Sequence, residues 1–176
     1  MPRPSIDQLR AVGDFATLFR WNLAFPSFPT AVAAPPTSDS LNLRCETMEV
    51  PKASNESMTI AIRGHKVKQP GMINYPGTLS ITFVETIDNT IKTFLKNWRE
   101  AIYSTGTGVS ADLKSALQCS VQLTQLNNQD VGIWSYTLIG CYLEDYDLGS
   151  VDGQSSDVHK PSMTLSYDYF KDGAIG

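Results

Sequence analysis

The chain has 176 residues, a formal net charge of -4, 41% hydrophobic residues and 18% charged residues. That composition fits a packed globule and excludes a disordered or fibrous chain, and a single domain of this length buries roughly 70% of the surface its unfolded form exposes. The negative balance excludes the basic field that draws a protein onto duplex phosphates or an anionic membrane.

The acid is unevenly placed. Residues 130–176 carry Asp130, Glu144, Asp145, Asp147, Asp152, Asp157, Asp168 and Asp172 against Lys160 and Lys171. The stretch Met1–Arg10 has charges and prolines where a secretory signal needs an apolar run. Prolines interrupt residues 23–36, so no stretch approaches the roughly 20 apolar residues of a spanning helix, and membrane insertion is not expected.

In chain order, Ser5, Asp7, Leu9, Val12 and Phe15 allow a short helix, and Leu18–Phe25 reads as a strand. Residues 26–40, rich in proline, serine and alanine, are expected to form an extended arm or loop. Leu41, Leu43 and Cys45 then alternate as a strand, followed by a second strand at Met58, Ile60 and Ile62. The segment 64–77, with His65, Lys66, Lys68, Pro70 and Tyr75, suits a long projecting loop or hairpin. Leu79, Ile81 and Phe83 form the next strand. Asp88 stands as an N-cap, and Ile91, Phe94, Leu95, Trp98 and Ile102 fall at helical spacing until the glycines at 106 and 108 stop the run. Alternation resumes at Leu117–Leu123, at Trp134–Leu138 and at Met163–Tyr169. The pattern as a whole is mainly β, a sandwich or barrel with one flanking helix, in a single domain over 1–176.

No constellation in the sequence carries obvious chemistry. His65 and His159 lack a nucleophile-elbow context, and a hydrolase using His159 with Asp157 lacks a nucleophile. Cys45, Cys119 and Cys141 are odd in number and widely spaced, which fits buried thiols better than a disulfide or metal framework. Glu144, Asp145, Asp147 and Asp152 lack the spacing of a calcium loop and read as an acidic surface or wall. No catalytic, cofactor or metal residue is therefore expected. Strands with exposed edges must close or pair between subunits, which points to self-assembly. A second possibility is a ligand-binding β-barrel with Trp21, Trp98 and Trp134 lining an apolar cavity.

The order of a strand at Phe19–Phe25, a strand containing Cys45, Met58–Ile62, a basic loop closing at Tyr75–Gly77, Thr78–Val84 and a helix around Phe94 and Trp98 resembles the tail tube proteins of contractile-tailed phages. The closing segments, Val131–Asp147 with its Gly-Cys-Tyr-Leu-Glu-Asp-Tyr-Asp run and Ser162–Tyr169, are similar to that family's last strands. The resemblance implies hexameric rings stacked into a tube, a lumen passing DNA and a tape-measure protein, a surrounding sheath, baseplate partners, and a place in the virion tail after assembly in the host cytoplasm. It places Arg63, His65, Lys66, Lys68 and Tyr75 at contacts between rings, and offers Glu144, Asp145, Asp147 and Asp152 as candidates for the acidic lumen or surface. The proline-rich insertion at 26–40 and the tail from Lys171 to Gly176 depart from the pattern. They leave open a tube-initiating or tube-terminating protein, or a tube protein of type VI secretion.

Overall fold

The computed structural model describes residues 3, 6–11, 13, 15–109, 113–154 and 156–175, apart from the side chains of residues 8 and 9. A short helix α1 (Ile6–Arg10) precedes strand β1 (Trp21–Ser27), and helix α2 (Ser38–Arg44) leads directly into β2 (Cys45–Met48). Strands β3 (Ser54–Ile62) and β4 (His65–Asn74) pair only with each other, and β5 (Thr78–Phe83) returns to the body. Then come the main helix α3 (Thr90–Ile102), a single turn α4 (Lys114–Leu117), and strands β6 (Cys119–Leu126), β7 (Gly132–Asp147), β8 (Ser162–Ser166) and β9 (Tyr169–Ala174).

Strand β7 is long enough to serve two sheets. Its first half pairs with β6 and β9, with β1 beyond β6; its second half pairs with β8, followed by β5 and β2. Every pairing is antiparallel. Between the halves lies Gly140 at φ +72°, where the side chain of Asp168 occupies the space a Cβ needs. Only glycine adopts that conformation there without strain. The inner faces of both sheets alternate as period-two strands must: Leu23, Phe25, Val121, Leu138, Leu79, Ile81, Phe83, Met163 and Leu165 meet in one core.

Helix α3 supplies the rest of that core through Ile91, Phe94, Leu95 and Trp98. The buried Trp98 indole N–H donates to the carbonyl of Leu117 at 3.1 Å, which ties α3 to α4 and satisfies a polar group that burial otherwise leaves unpaired. The expected cap is displaced. Asn89, not Asp88, is the N-cap residue, in the left-handed region and without a side-chain cap bond. Glu85 reaches over instead, accepting from the backbone N–H of Ile91 at 3.3 Å and of Lys92 at 2.8 Å.

Several other expectations are corrected. Leu41–Arg44 is helix, and the strand expected there begins only at Cys45: prolines 35 and 36 are followed by Thr37, whose hydroxyl caps Ser40 N–H, so the chain starts a helix that buries Leu41 and leaves Leu43 86% exposed. The stretch 26–40 is irregular only at 28–37, because Pro26 and Ser27 finish β1 across a bulge and 38–40 open α2. A bulge is where a strand tolerates proline. Leu117 ends α4 instead of starting a strand, and the run Met163–Tyr169 breaks at Tyr167–Asp168 into β8 and β9. The fold class is as expected, with three short helices besides the flanking one among the described residues.

Candidate assembly surfaces

Three surfaces stand out, all attached to the sheet made by β2, β5, β8 and the second half of β7. The first is the arm, β3 and β4. It is closed by Arg63 at φ +48° and Gly64 at φ +84°, the two positive values that a two-residue type I′ hairpin turn requires. Ile62 pairs with His65, Ile60 with Val67 and Met58 with Gln69, so these six side chains share one face; Ala61–Lys66 and Thr59–Lys68 share the other. The arm is therefore a ribbon with an apolar face and a basic face. Met58, Ile62 and Val67 are each more than half exposed. A hairpin of this kind is marginal by itself.

Arg63, His65, Lys66 and Lys68 lie at or near the tip of this arm. Tyr75 does not: it lies at the root, half-buried, with its ring edge-on to Phe170 at 5.5 Å between centroids. The segment 64–77 is thus mostly strand, and the apolar face built by Met58, Ile60, Ile62 and Val67 was not distinguished in the sequence from a core-facing strand. The signal was present in the Arg63-Gly64 dipeptide between two β-prone runs.

The second surface is the outward face of the same sheet. Thr78, Ser166 and Tyr142 form one row, Ser80, Thr164 and Asp145 the next, and Thr82, Ser162 and Asp147 the third. Glu144 sits at the bulge between Leu143 and Asp145. The ladder from β6 ends at Cys141, so residues 142–147 have β8 on one side only, and β2 is the opposite edge. Both edges of this sheet are open to a neighbouring strand.

The third surface is a groove of about 630 Å³ at the far end of that sheet, lined by Asp147, Gly149, Ser150, Val151, Asp152, Asp157, Val158, His159 and Lys160. Here the acids brace the loop: Asp147 accepts from Gly149 N–H at 2.8 Å, Asp152 from Gln154 N–H at 2.9 Å and Asp157 from Val158 N–H at 2.9 Å. Asp147 and Asp152 are thus brought together on the lining of one groove, with Asp145 and Glu144 two and three positions before Asp147 along the strand.

The remaining candidates are placed as follows. Nδ1 of His159 is enclosed with no hydrogen-bond partner among the described residues, so no acid orients the ring through it. His65 is on the arm, opposite Ile62. Among the described residues no group of three histidines, cysteines or carboxylates is placed to hold a metal. All three cysteines are free. Cys119 faces Cys141 across the ladder; the hydrogen bond its S–H makes to the Cys141 sulfur and burial both push its pKa upward, and burial pushes the Cys45 thiol up to about 12. Trp98 is sealed in the core, Trp21 is half-buried at the surface and Trp134 is 36% exposed beside Tyr136. Among the described residues no helix is long and apolar enough to cross a membrane.

A family model described as phage tail tube protein matches residues 15–172. The chain belongs to the phage tail tube protein family. Its fold is that of tubes in contractile injection machines. It superposes with a TM-score of 0.67 on a chain of the PVC sheath-tube complex of an extracellular contractile injection system, covering 98% of this chain and 100% of that one at 14% identity. A chain of the PVC sheath/tube terminator matches with a TM-score of 0.68 over 93% and 99% of the two chains at 12% identity. A type six secretion system protein matches at 0.53 over 90% and 92%, with 12% identity. No curated protein matches the chain. Family membership makes it a structural subunit of a tail tube, a component of a phage tail or tail-like particle.

Proposed function

We propose that this chain, folded as one domain, forms hexameric rings that stack into the inner tube of a contractile tail, acting mechanically and without enzymatic chemistry. The observation that carries this reading is the sheet of β2, β5, β8 and β7. Both of its edges are open, its outward face is polar, and the arm continues directly from two of its strands. In a ring, β2 of one copy pairs with residues 142–147 of the next, and repetition of one heterologous contact closes the circle. The outward rows of serine and threonine, with Asp145 and Asp147, then line the lumen. A wall of hydroxyls and carboxylates gives DNA nothing to adhere to, because like charge repels a polyanion at short range.

Arg63, His65, Lys66 and Lys68 belong to contacts between rings in this reading, with Tyr75 fixing the root of the arm. The sheath, tape-measure and baseplate partners follow from the tail reading, and the particle assembles in the host cytoplasm. One structural relative is a chain of a sheath-tube complex and another a chain of a sheath/tube terminator, so a tube-end role is the second reading. Negative-stain microscopy of the purified protein at several concentrations separates them. Tubes of uniform diameter and indefinite length are expected; single rings that never stack favour the tube-end role, and a particle that stays monomeric with a small apolar ligand bound overturns both.

A further inference from the structure

The arm and the groove at 147–160 occupy opposite ends of one sheet. At one end, Thr78, Ser166 and Tyr142 form the last row, and the arm leaves from β2 and enters β5. At the other end, Asp147 pairs with Ser162, and Phe83 N–H and Glu85 N–H donate to the carbonyls of Pro161 and His159, which fixes the groove there. With nine residues in β3, the arm reaches roughly 30 Å beyond the sheet. Among the described residues its two strands pair only with each other, and Met58, Ile62 and Val67 on its apolar face stay more than half exposed.

We infer that the arm tip of one copy seats in the groove at 147–160 of a second copy, the apolar face against Val151 and Val158 and the lysines toward Asp147 and Asp152. Charge supports a second copy as the occupant. Residues 54–74 hold Arg63, Lys66 and Lys68 against Glu56, a net +2 within a chain of -4, which leaves -6 on the remainder. Arm and body are of opposite sign. The groove is mainly polar, with the carboxylates of Asp147, Asp152 and Asp157 beside two exposed valines, Val151 and Val158, so its acid meets the basic face of the ribbon and its valines the apolar one. A contact between opposite ends of identical chains does not close on itself; it propagates along the strand direction as a stack. This inference rests on the tube reading and names the surface through which one ring holds the next.

The test is a photo-cross-linker, p-benzoylphenylalanine, at Ile62, with the adduct mapped by mass spectrometry in concentrated and assembled protein. An adduct between copies to a peptide within 147–160 is expected. Lys66→Glu/Lys68→Glu raises the concentration needed for tubes by about tenfold or more, since like charges set face to face cost more free energy than a tenfold change requires. Pairing it with Asp152→Lys recovers most of that loss, with an unchanged melting temperature as the check on folding. Tubes whose adducts map elsewhere on the second copy overturn the groove and leave the tube reading intact. Adducts confined to the same chain overturn the free arm. A protein that neither assembles nor cross-links between copies at any concentration overturns both readings.

Discussion

Single residues hold the two-sheet body at points where the backbone has no latitude. Gly140 joins the halves of β7 at φ +72°, and a Cβ there stands 2.9 Å from Cγ of Asp168. Gly140→Ala is expected to lose about 1–3 kcal/mol, through positive-φ strain and the displaced carboxylate, read as a drop in urea midpoint at unchanged slope. Glu85→Ala removes the acceptor for two orphan N–H groups of α3, and a loss of about 1 kcal/mol, the usual worth of a cap, should appear in the same assay. Asp88, although not the cap, has work of another kind. Hydrogen bonds from Thr86 and Thr90, then the Arg44 guanidinium, lower its pKa to about 2, against about 3.9 for an unfolded aspartate. A depressed folded value means stability that is present above about pH 4 and is lost as pH falls toward 2. Asp88→Asn should lower stability at pH 7 and flatten the profile across that window, so that the difference from the parent shrinks as pH falls toward 2.

At the scale of elements, the arm is separable from the body and the flanking helix is not. Replacing residues 54–74 by a short turn should leave the melting temperature within a few degrees of the parent while abolishing tubes in the microscope, because the arm pairs only with itself. Trp98→Ala should cost about 3–5 kcal/mol, since a fully buried indole leaves a cavity and strands the Leu117 carbonyl. Helix α2 shows how an edge is managed. Asn42 and Ser38 accept from the N–H groups of Leu23 at 2.7 Å and Phe25 at 2.8 Å, so side chains stand where a neighbouring strand otherwise lies. Its sequence misled because Leu41, Leu43 and Cys45 do alternate; the hydroxyl of Thr37 and the absence of a partner strand decided for helix. Strand β4 was hidden by Pro70 and Gly71, whose irregularity is absorbed by the bulge between Asn55 and Ser57.

For the whole molecule, the acid on the rows proposed to face the lumen makes a charge prediction. Tubes carrying Asp145→Lys and Asp147→Lys should retain single-stranded DNA in a filter assay at low salt and release it as salt is raised, whereas the parent tubes retain none; equal retention by both places these rows away from the lumen. Sequence by itself determined what depends on local repetition: the period-two core strands at 79–83, 119–123 and 163–165, the α3 stripe ending at Trp98, and the class of the fold, because alternation and helical spacing are written in neighbouring residues. It also carried the order of elements by which the family resemblance was seen. Tertiary structure alone decided which strands share a sheet, that β7 bends at Gly140 to serve two of them, and that the arm and the acidic groove stand at opposite ends of one. Those relations join residues as distant as Met58 and Asp152, and the free energy that fixes them comes from burial and strand pairing across the whole chain, which no local pattern records.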